Sequence, residues 1–112
     1  MDFDKIKKLI LEFRDARDRK QFHNPKDLAT AISIEASELQ ERFLRKNGQS
    51  IIDEAKSDEV KEEFADIFNY LILFADACKV DIESAVLNKI EKNNKKYPVE
   101  KAKGKSDKYT EL

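Results

Sequence analysis

The sequence has 112 residues, of which 40% are charged, and a formal net charge of −1. This length predicts one domain, and the presence of only two Gly and two Pro favours a helix-rich protein. The near-zero net charge gives no argument for binding a nucleic acid polymer or a membrane, and the longest apolar run, around residues 67–77, is too short to span a bilayer. The single Cys excludes an internal disulfide, so we expect a reducing, cytoplasmic location.

The first predicted helix covers about residues 4–19. We expect the charged side of this helix to be solvated. Its other side carries apolar residues at helical spacing, namely Phe3, Ile6, Leu9, Ile10 and Phe13.

The second predicted helix carries an acidic residue on its apolar side. Asn24 is a good N-cap and predicts a helix over about residues 25–46, ended by Asn47-Gly48. Within this helix Glu35 falls inside the apolar stripe, and Glu38 lies on its flank. Because burying an unpaired carboxylate is costly, Glu35 requires a partner or a metal ion.

The third predicted helix follows a connector over residues 49–56. We expect Ile51 and Ile52 in this connector to be buried by a short turn. Ser57 then caps a helix that runs to about residue 79. Its predicted apolar stripe consists of Val60, Phe64, Ile67, Leu71 and Phe74.

A polar column lies beside this stripe. Glu63 is at the edge of the stripe, with Asp66 and Tyr70 further round the same side. If the second and third helices face each other, Glu35, Glu38, Glu63 and Asp66 surround one space. Carboxylate oxygens suit Mg²⁺, with Mn²⁺ as an alternative, better than Zn²⁺. The spacing alone leaves a solvated or ion-paired surface open.

The last predicted helix leads into a basic segment. Asp81 caps this helix, and Pro98 ends it. Eight Lys lie between residues 89 and 108, which favours a phosphorylated substrate beside the acidic residues. We therefore predict a helical domain over residues 1–98 and a Lys-rich arm over residues 99–112, either disordered or ordered by a ligand or partner.

Five sequence motifs occur in an order that resembles a known family. E-x-x-E at Glu35 and E-x-x-D at Glu63 resemble the MazG-like, all-α nucleoside triphosphate pyrophosphohydrolases. Three segments are similar to the dCTP pyrophosphatase branch: RDARD at residues 14–18 followed by QFHNP at residues 21–25, KIEKNNKKYP at residues 89–98, and KYTEL at residues 108–112. The resemblance covers nearly the whole chain.

The resemblance implies a fold, a reaction and a set of site residues. The fold would be an all-α, four-helix bundle completed by a homodimer or homotetramer. The reaction would be Mg²⁺-dependent hydrolysis of a (d)NTP, with dCTP-like substrates as candidates, to the (d)NMP and pyrophosphate in nucleotide-pool sanitation. The implied metal ligands are Glu35, Glu38, Glu63 and Asp66, and Glu35 or Glu38 would also orient or deprotonate the attacking water. The implied substrate contacts are His23, Tyr70, Lys89, Asn93, Lys96, Tyr97, Lys108 and Tyr109.

The chain also departs from that branch. Arg19 and Arg45 stand near positions where cytosine-preferring relatives carry Trp, so base stacking would fall to Phe22, Phe43 or an arginine plane. Lys96 replaces the Arg before Tyr-Pro and loses bidentate phosphate geometry. Three alternatives stay open: an all-α dUTPase, a phosphoribosyl-ATP pyrophosphatase, and a helical nucleotide-binding or scaffold protein without turnover.

Overall fold

The computed structural model describes all 112 residues, and it is 75% helical with no strand, which confirms the all-α prediction. The chain forms two compact units, residues 1–79 and residues 80–112. None of its helices is both long enough and apolar enough to cross a membrane. The six α-helices are α1 (Phe3–Ala16), α2 (Pro25–Glu41), α3 (Gln49–Ala55), α4 (Asp58–Cys78), α5 (Ile82–Lys96) and α6 (Val99–Ala102). The predicted division at residue 98 stays a prediction.

Three predicted helix starts are confirmed by side-chain caps. The side chains of Asn24, Ser57 and Asp81 each accept a hydrogen bond from the backbone N–H three residues further on, at 2.9, 3.2 and 3.0 Å. Each cap satisfies an N–H that has no partner within the helix. As a result α2, α4 and α5 begin where the sequence predicts.

Two helix ends differ from the prediction. Helix α1 stops at Ala16 because Asp18, two residues on, has a left-handed backbone with a φ of 50°. Helix α2 stops at Glu41, and Arg45 in the following turn has a φ of 62°. Gly48, which we expected to end α2, instead precedes α3 as its N-cap, with a φ of 52°.

The predicted connector is a helix, and its isoleucines are not buried. Ile51 is 44% exposed and Ile52 is 49% exposed, so the prediction that a turn buries them is wrong. Helix α3 has only seven residues. The apolar character of Ile51 and Ile52 indicates that they favour burial, but it does not indicate whether another part of this chain covers them.

The core of residues 1–79 lies where α4 packs against α2 and α1. The predicted stripe of α4 is wrong in part, since Phe64 is 66% exposed and Leu71 is 47% exposed. Helix α4 is apolar on more than one side, so periodicity alone does not identify the inward side. The buried apolar residues are Leu28, Ile72, Leu73 and Ala75.

A buried ion pair connects α1 to α4. Arg14, which we expected on a solvated face, is only 5% exposed. Its Nη1 donates to Asp76 Oδ2 at 2.6 Å, and its Nε donates to Asp15 Oδ1 at 2.9 Å. Because both contacts are charge-assisted hydrogen bonds, they offset the cost of burying the guanidinium.

The predicted arm contains two short helical segments, α6 and a 3₁₀ turn at Tyr109–Glu111. Tyr109 contacts Tyr97 edge to face, with 6.1 Å between the ring centroids. Lys96 Nζ lies 4.8 Å from the centroid of the Tyr109 ring. These contacts connect the last turn of α5 to the end of the arm.

Candidate functional site

Helices α2 and α4 bring together three of the predicted carboxylates. Glu35 on α2 and Glu63 and Asp66 on α4 each offer an oxygen atom, and these oxygens lie within 4.8 Å of one another. Glu63 and Asp66 are neighbours because residues three apart lie on one side of a helix. The packing of α2 on α4 then adds Glu35. We call these three residues the acidic cluster.

Two oxygen atoms in this cluster lack a hydrogen-bond donor. Glu35 Oε2 and Glu63 Oε2 are buried, and neither has a hydrogen-bond partner. A buried acceptor without a partner costs about 1–3 kcal/mol, and more when it is charged. A divalent cation would satisfy both atoms, and a ligand set made only of carboxylate oxygens suits Mg²⁺ or Mn²⁺. The residues present therefore fit a hard divalent cation.

The crowding of carboxylates also changes their proton affinity. Burial, together with the neighbouring Glu38, Glu63 and Asp66, raises the pKa of Glu35 to about 7. Burial also raises the pKa of Glu63, and the charges of Glu38 and Asp66 add to that effect. Without a cation, the site therefore retains a proton that carboxyl groups in water release well below neutral pH.

Glu38 lies beside the acidic cluster and is not one of its three members. Its carboxylate interacts with both Glu35 and Glu63 and raises the pKa of each. Because Glu38 is outside the set of mutually close oxygens, its role as a metal ligand stays a prediction.

A cavity of about 400 Å³ adjoins the acidic cluster and shares Asp66 with it. Helix α1, the following turn and α4 form its walls. This volume is within the range of small-molecule sites, and the mixture of apolar walls with a few polar groups is typical of them. The polar lining residues are Arg14, Arg19, His23, Asp66, Asn69 and Tyr70.

His23 and Tyr70, both predicted as substrate contacts, line this cavity. The Nδ1 atom of His23 is buried without a hydrogen-bond partner. Burial, followed by the charges of Arg14 and Arg19, lowers the pKa of His23, so its imidazole is neutral at pH 7.

The aromatic residue in the cavity wall differs from the expected one. Phe13 lines the cavity, whereas Phe22 and Phe43 do not. We placed Phe13 on the apolar side of the first helix, and it is 58% exposed. The guanidinium of Arg17 lies 3.6 Å from the centroid of the Phe13 ring. The other predicted stacking group, an arginine plane, has a candidate in Arg19, which does line the cavity.

Sequence reasoning missed two polar lining residues, Arg14 and Asn69. Arg14 follows Ile10 by four residues and therefore continues the apolar stripe of α1, as Glu35 does in α2. The same rule that singled out Glu35 could have identified Arg14. Asn69 has no such signal, since it is one polar residue among several near Tyr70.

The other predicted substrate contacts lie in residues 80–112. Lys89, Asn93 and Lys96 follow one another at helical spacing and share a side of α5. Lys108 precedes the last 3₁₀ turn. Their contacts with phosphate, together with those predicted for Tyr97 and Tyr109, stay predictions.

Comparison with known proteins gives consistent results. The chain is 39% identical to dCTP pyrophosphatase 1 of Bos taurus over 111 residues, covering 96% of this chain and 66% of the relative. It is 38% identical to dCTP pyrophosphatase 1 of Homo sapiens, covering 96% and 65%. The chain thus spans about two thirds of the length of these curated relatives.

A solved structure and a family model agree with these relatives. The crystal structure of a pyrophosphatase from Archaeoglobus fulgidus matches with a TM-score of 0.80 and 36% identity, over 88% of this chain and 94% of that one. The sequence model of the MazG-like family matches residues 30–112. Because this match covers most of the chain, including both acidic pairs, the chain belongs to the MazG-like family.

Proposed function

We propose that this protein is a Mg²⁺-dependent nucleoside triphosphate pyrophosphohydrolase, which converts a (d)NTP and water to the (d)NMP and pyrophosphate. The acidic cluster carries this proposal, because two of its buried oxygens lack a donor and Asp66 joins it to the cavity. The names of the relatives, two of them dCTP pyrophosphatases, support the same reaction. The names also support dCTP-like substrates. Our proposal includes a role in nucleotide-pool sanitation.

In this proposal the cavity holds the nucleoside and the acidic cluster meets the phosphates. Glu35, Glu63 and Asp66 hold the cation, with Glu38 as a further ligand. Mg²⁺, when bound, supplies positive charge that offsets the negative charge of the phosphate oxygens. Asp66 belongs to both the cluster and the cavity wall, so a base and sugar in the cavity have their phosphates beside the carboxylates.

The carboxylates also provide a proton acceptor. Hydrolysis requires a water molecule to lose a proton as its oxygen bonds to phosphorus. Glu35 or Glu38 accepts this proton, and a carboxylate whose pKa is raised towards neutrality is a more effective base than an ordinary one. The water oxygen bonds to the α-phosphorus, the bond from that phosphorus to the oxygen bridging the α- and β-phosphates breaks, and pyrophosphate leaves with the bridging oxygen.

The lysine-rich unit supplies the other proposed contacts. Lys89, Asn93 and Lys96 contact phosphates, with Tyr97, Lys108 and Tyr109 as further candidates. The support for these assignments is the resemblance in motif, together with the shared side of α5. We also propose a homodimer or homotetramer, which the exposed apolar residues support.

Pyrophosphate release from a panel of dNTPs, with Mg²⁺ and with a chelator, tests the proposal. We expect monophosphate and pyrophosphate as the only products and no turnover with the chelator. Glu35→Gln and Glu63→Gln should each lower kcat by at least about a hundredfold, because general acid–base and electrostatic contributions have about that size.

The matched control is Glu62→Gln, which changes an exposed glutamate next to Glu63. This variant should keep wild-type activity. Release of inorganic phosphate in place of pyrophosphate, or full activity of Glu35→Gln and Glu63→Gln, would overturn the proposal.

A further inference from the structure

Arg14 is a fixed cation in the wall of the cavity. It is 5% exposed, and the ion pair with Asp76 and the contact with Asp15 hold its guanidinium in one orientation. These two hydrogen bonds use Nη1 and Nε. Nη2 makes no hydrogen bond to a protein acceptor, so a planar, charged donor group is left with unused N–H bonds beside the cavity.

A purely structural role explains only part of this arrangement. The link to Asp76 connects α1 to α4, but an arginine that served only as a link would not need to line a cavity of about 400 Å³. Arg19 also lines the cavity, but it is exposed, so it is not fixed in this way. Because Arg14 is already ordered, donating to a ligand costs it little further conformational entropy.

The surroundings of Arg14 specify what kind of ligand atom fits. The polar groups nearest to it in the cavity include His23, which is neutral and has an unpartnered Nδ1. The only carboxylate that lines the cavity is Asp66, which belongs to the acidic cluster. The free donors of Arg14 therefore have no anionic acceptor of their own and fit an oxygen acceptor on the ligand.

We propose that Arg14, positioned by Asp76, is a specificity-determining residue that donates from Nη2 to a carbonyl oxygen of the nucleotide base. It favours bases that carry a carbonyl group, such as cytosine, thymine and hypoxanthine. It disfavours adenine, which has no carbonyl group and whose only exocyclic group is an amine that would bring a donor against a donor. This inference rests on the proposed function, since it concerns the base of the same triphosphate substrate.

The sharpest test compares dITP with dATP, because their bases differ in the carbonyl or amine at one carbon and the adjoining ring proton. We expect wild-type protein to show a kcat/KM for dITP at least about tenfold above that for dATP, as a hydrogen bond to a charged group predicts. Arg14→Met should reduce this ratio to about two or less, because kcat/KM for dITP, dCTP and dTTP falls while that for dATP stays the same or rises once the opposed donor is gone. Asp76→Asn should reduce it in part, since Arg14 then loses its positioning partner.

The matched control is Arg42→Met. Arg42 also donates from Nε to a carboxylate at 2.6 Å, that of Glu54, but it does not line the cavity. This variant should keep the wild-type ratio. If Arg14→Met does not fold by circular dichroism, the double variant Arg14→Met/Asp76→Leu removes both charges and allows the same comparison.

Two results would overturn the inference. One is a wild-type ratio near one, and the other is an equal loss of activity for dITP and dATP in Arg14→Met, as a structural role would produce. Failure of the proposed function is seen separately, as absence of pyrophosphate release from every nucleotide by the wild-type protein. That result would overturn the inference as well.

Discussion

Glu35 shows how a single half-buried residue couples proton binding to metal binding. Its position inside the apolar stripe of α2 was visible in the sequence, and the structure places it beside Glu63 and Asp66. Burial and these neighbours raise its pKa to about 7. A cation must therefore displace a proton at or below neutral pH, since metal ligands bind as carboxylates.

We predict that the affinity for Mg²⁺ or Mn²⁺ rises between pH 6 and pH 8. Below the Glu35 pKa of about 7, the cation must displace one proton, so the affinity falls by up to about tenfold for each pH unit by which the pH is lowered. Above that pKa, the affinity no longer depends on pH. Isothermal titration with Mn²⁺ at pH 6, 7 and 8 measures this change, with Glu62→Gln as the control that keeps the same profile. An affinity that is constant across this range would contradict the prediction.

The pKa of Asp76 is shifted in the opposite direction to that of Glu35. The hydrogen bond from Arg14 lowers the pKa of Asp76 below its usual value of 3.8. This pair therefore contributes its full stability above pH 3.8 and loses it as the pH falls through the lowered pKa of the folded state. We expect Asp76→Asn to lower the free energy of unfolding at pH 7 by about 1.5–3 kcal/mol, the size of a hydrogen bond to a charged group.

Urea unfolding of wild-type protein and Asp76→Asn at pH 7, 5 and 3 measures this effect, and the difference should shrink at pH 3. Asp15→Asn is the control, because Asp15 bonds to the same Arg14 with a side chain that is 57% exposed. Its effect should stay below about 1 kcal/mol. Equal effects of the two variants would show that burial of the pair does not determine its strength.

Helix starts could be predicted from the sequence because each depends on one local side chain. Asn24, Ser57 and Asp81 all accept the hydrogen bonds that their residue types favour. Helix ends were harder to predict from the sequence, since α1 and α2 end at residues whose types do not require a helix to end there. Asp18 and Arg45 adopt left-handed backbones, which are uncommon outside glycine and are stabilised by the surrounding chain.

The cap of α4 gives a prediction at this scale, because α4 carries Glu63 and Asp66. Ser57→Ala should lower the free energy of unfolding by about 1 kcal/mol through loss of the hydrogen bond to the Val60 N–H. Ser37→Ala is a matched control within α2, where the hydroxyl donates to a carbonyl four residues back. There alanine should be neutral or slightly stabilising, because it favours the helix interior. Chemical denaturation of both variants makes the comparison, and equal losses would contradict it.

For the whole molecule, the periodicity of the sequence predicted the all-α class and the acidic cluster. It did not predict which apolar sides of the helices are buried. Phe64 and Leu71 are apolar residues at helical spacing in α4, yet they are 66% and 47% exposed. A sequence pattern states that a face favours burial without stating which chain buries it. We predicted that Phe13 lies on the apolar side of α1 and Arg14 on its solvated side, but the structure buries Arg14 and exposes Phe13. Both residues lie near the boundary between the two sides of α1.

The exposed apolar faces predict self-association. On α5, Val86, Leu87 and Ile90 are 52%, 56% and 50% exposed, and their spacing places them on one side of the helix. Monomeric proteins rarely leave contiguous apolar patches uncovered, and a second copy of the chain would bury them.

We therefore expect a mass in solution of two or four times the 13.0 kDa of the chain, measured by light scattering after size-exclusion chromatography. Leu87→Glu should lower that mass, whereas Asn88→Glu, which adds the same single negative charge at an exposed polar position of α5, should not. A wild-type mass of 13.0 kDa across the concentration range would contradict the prediction and leave these faces to some other partner.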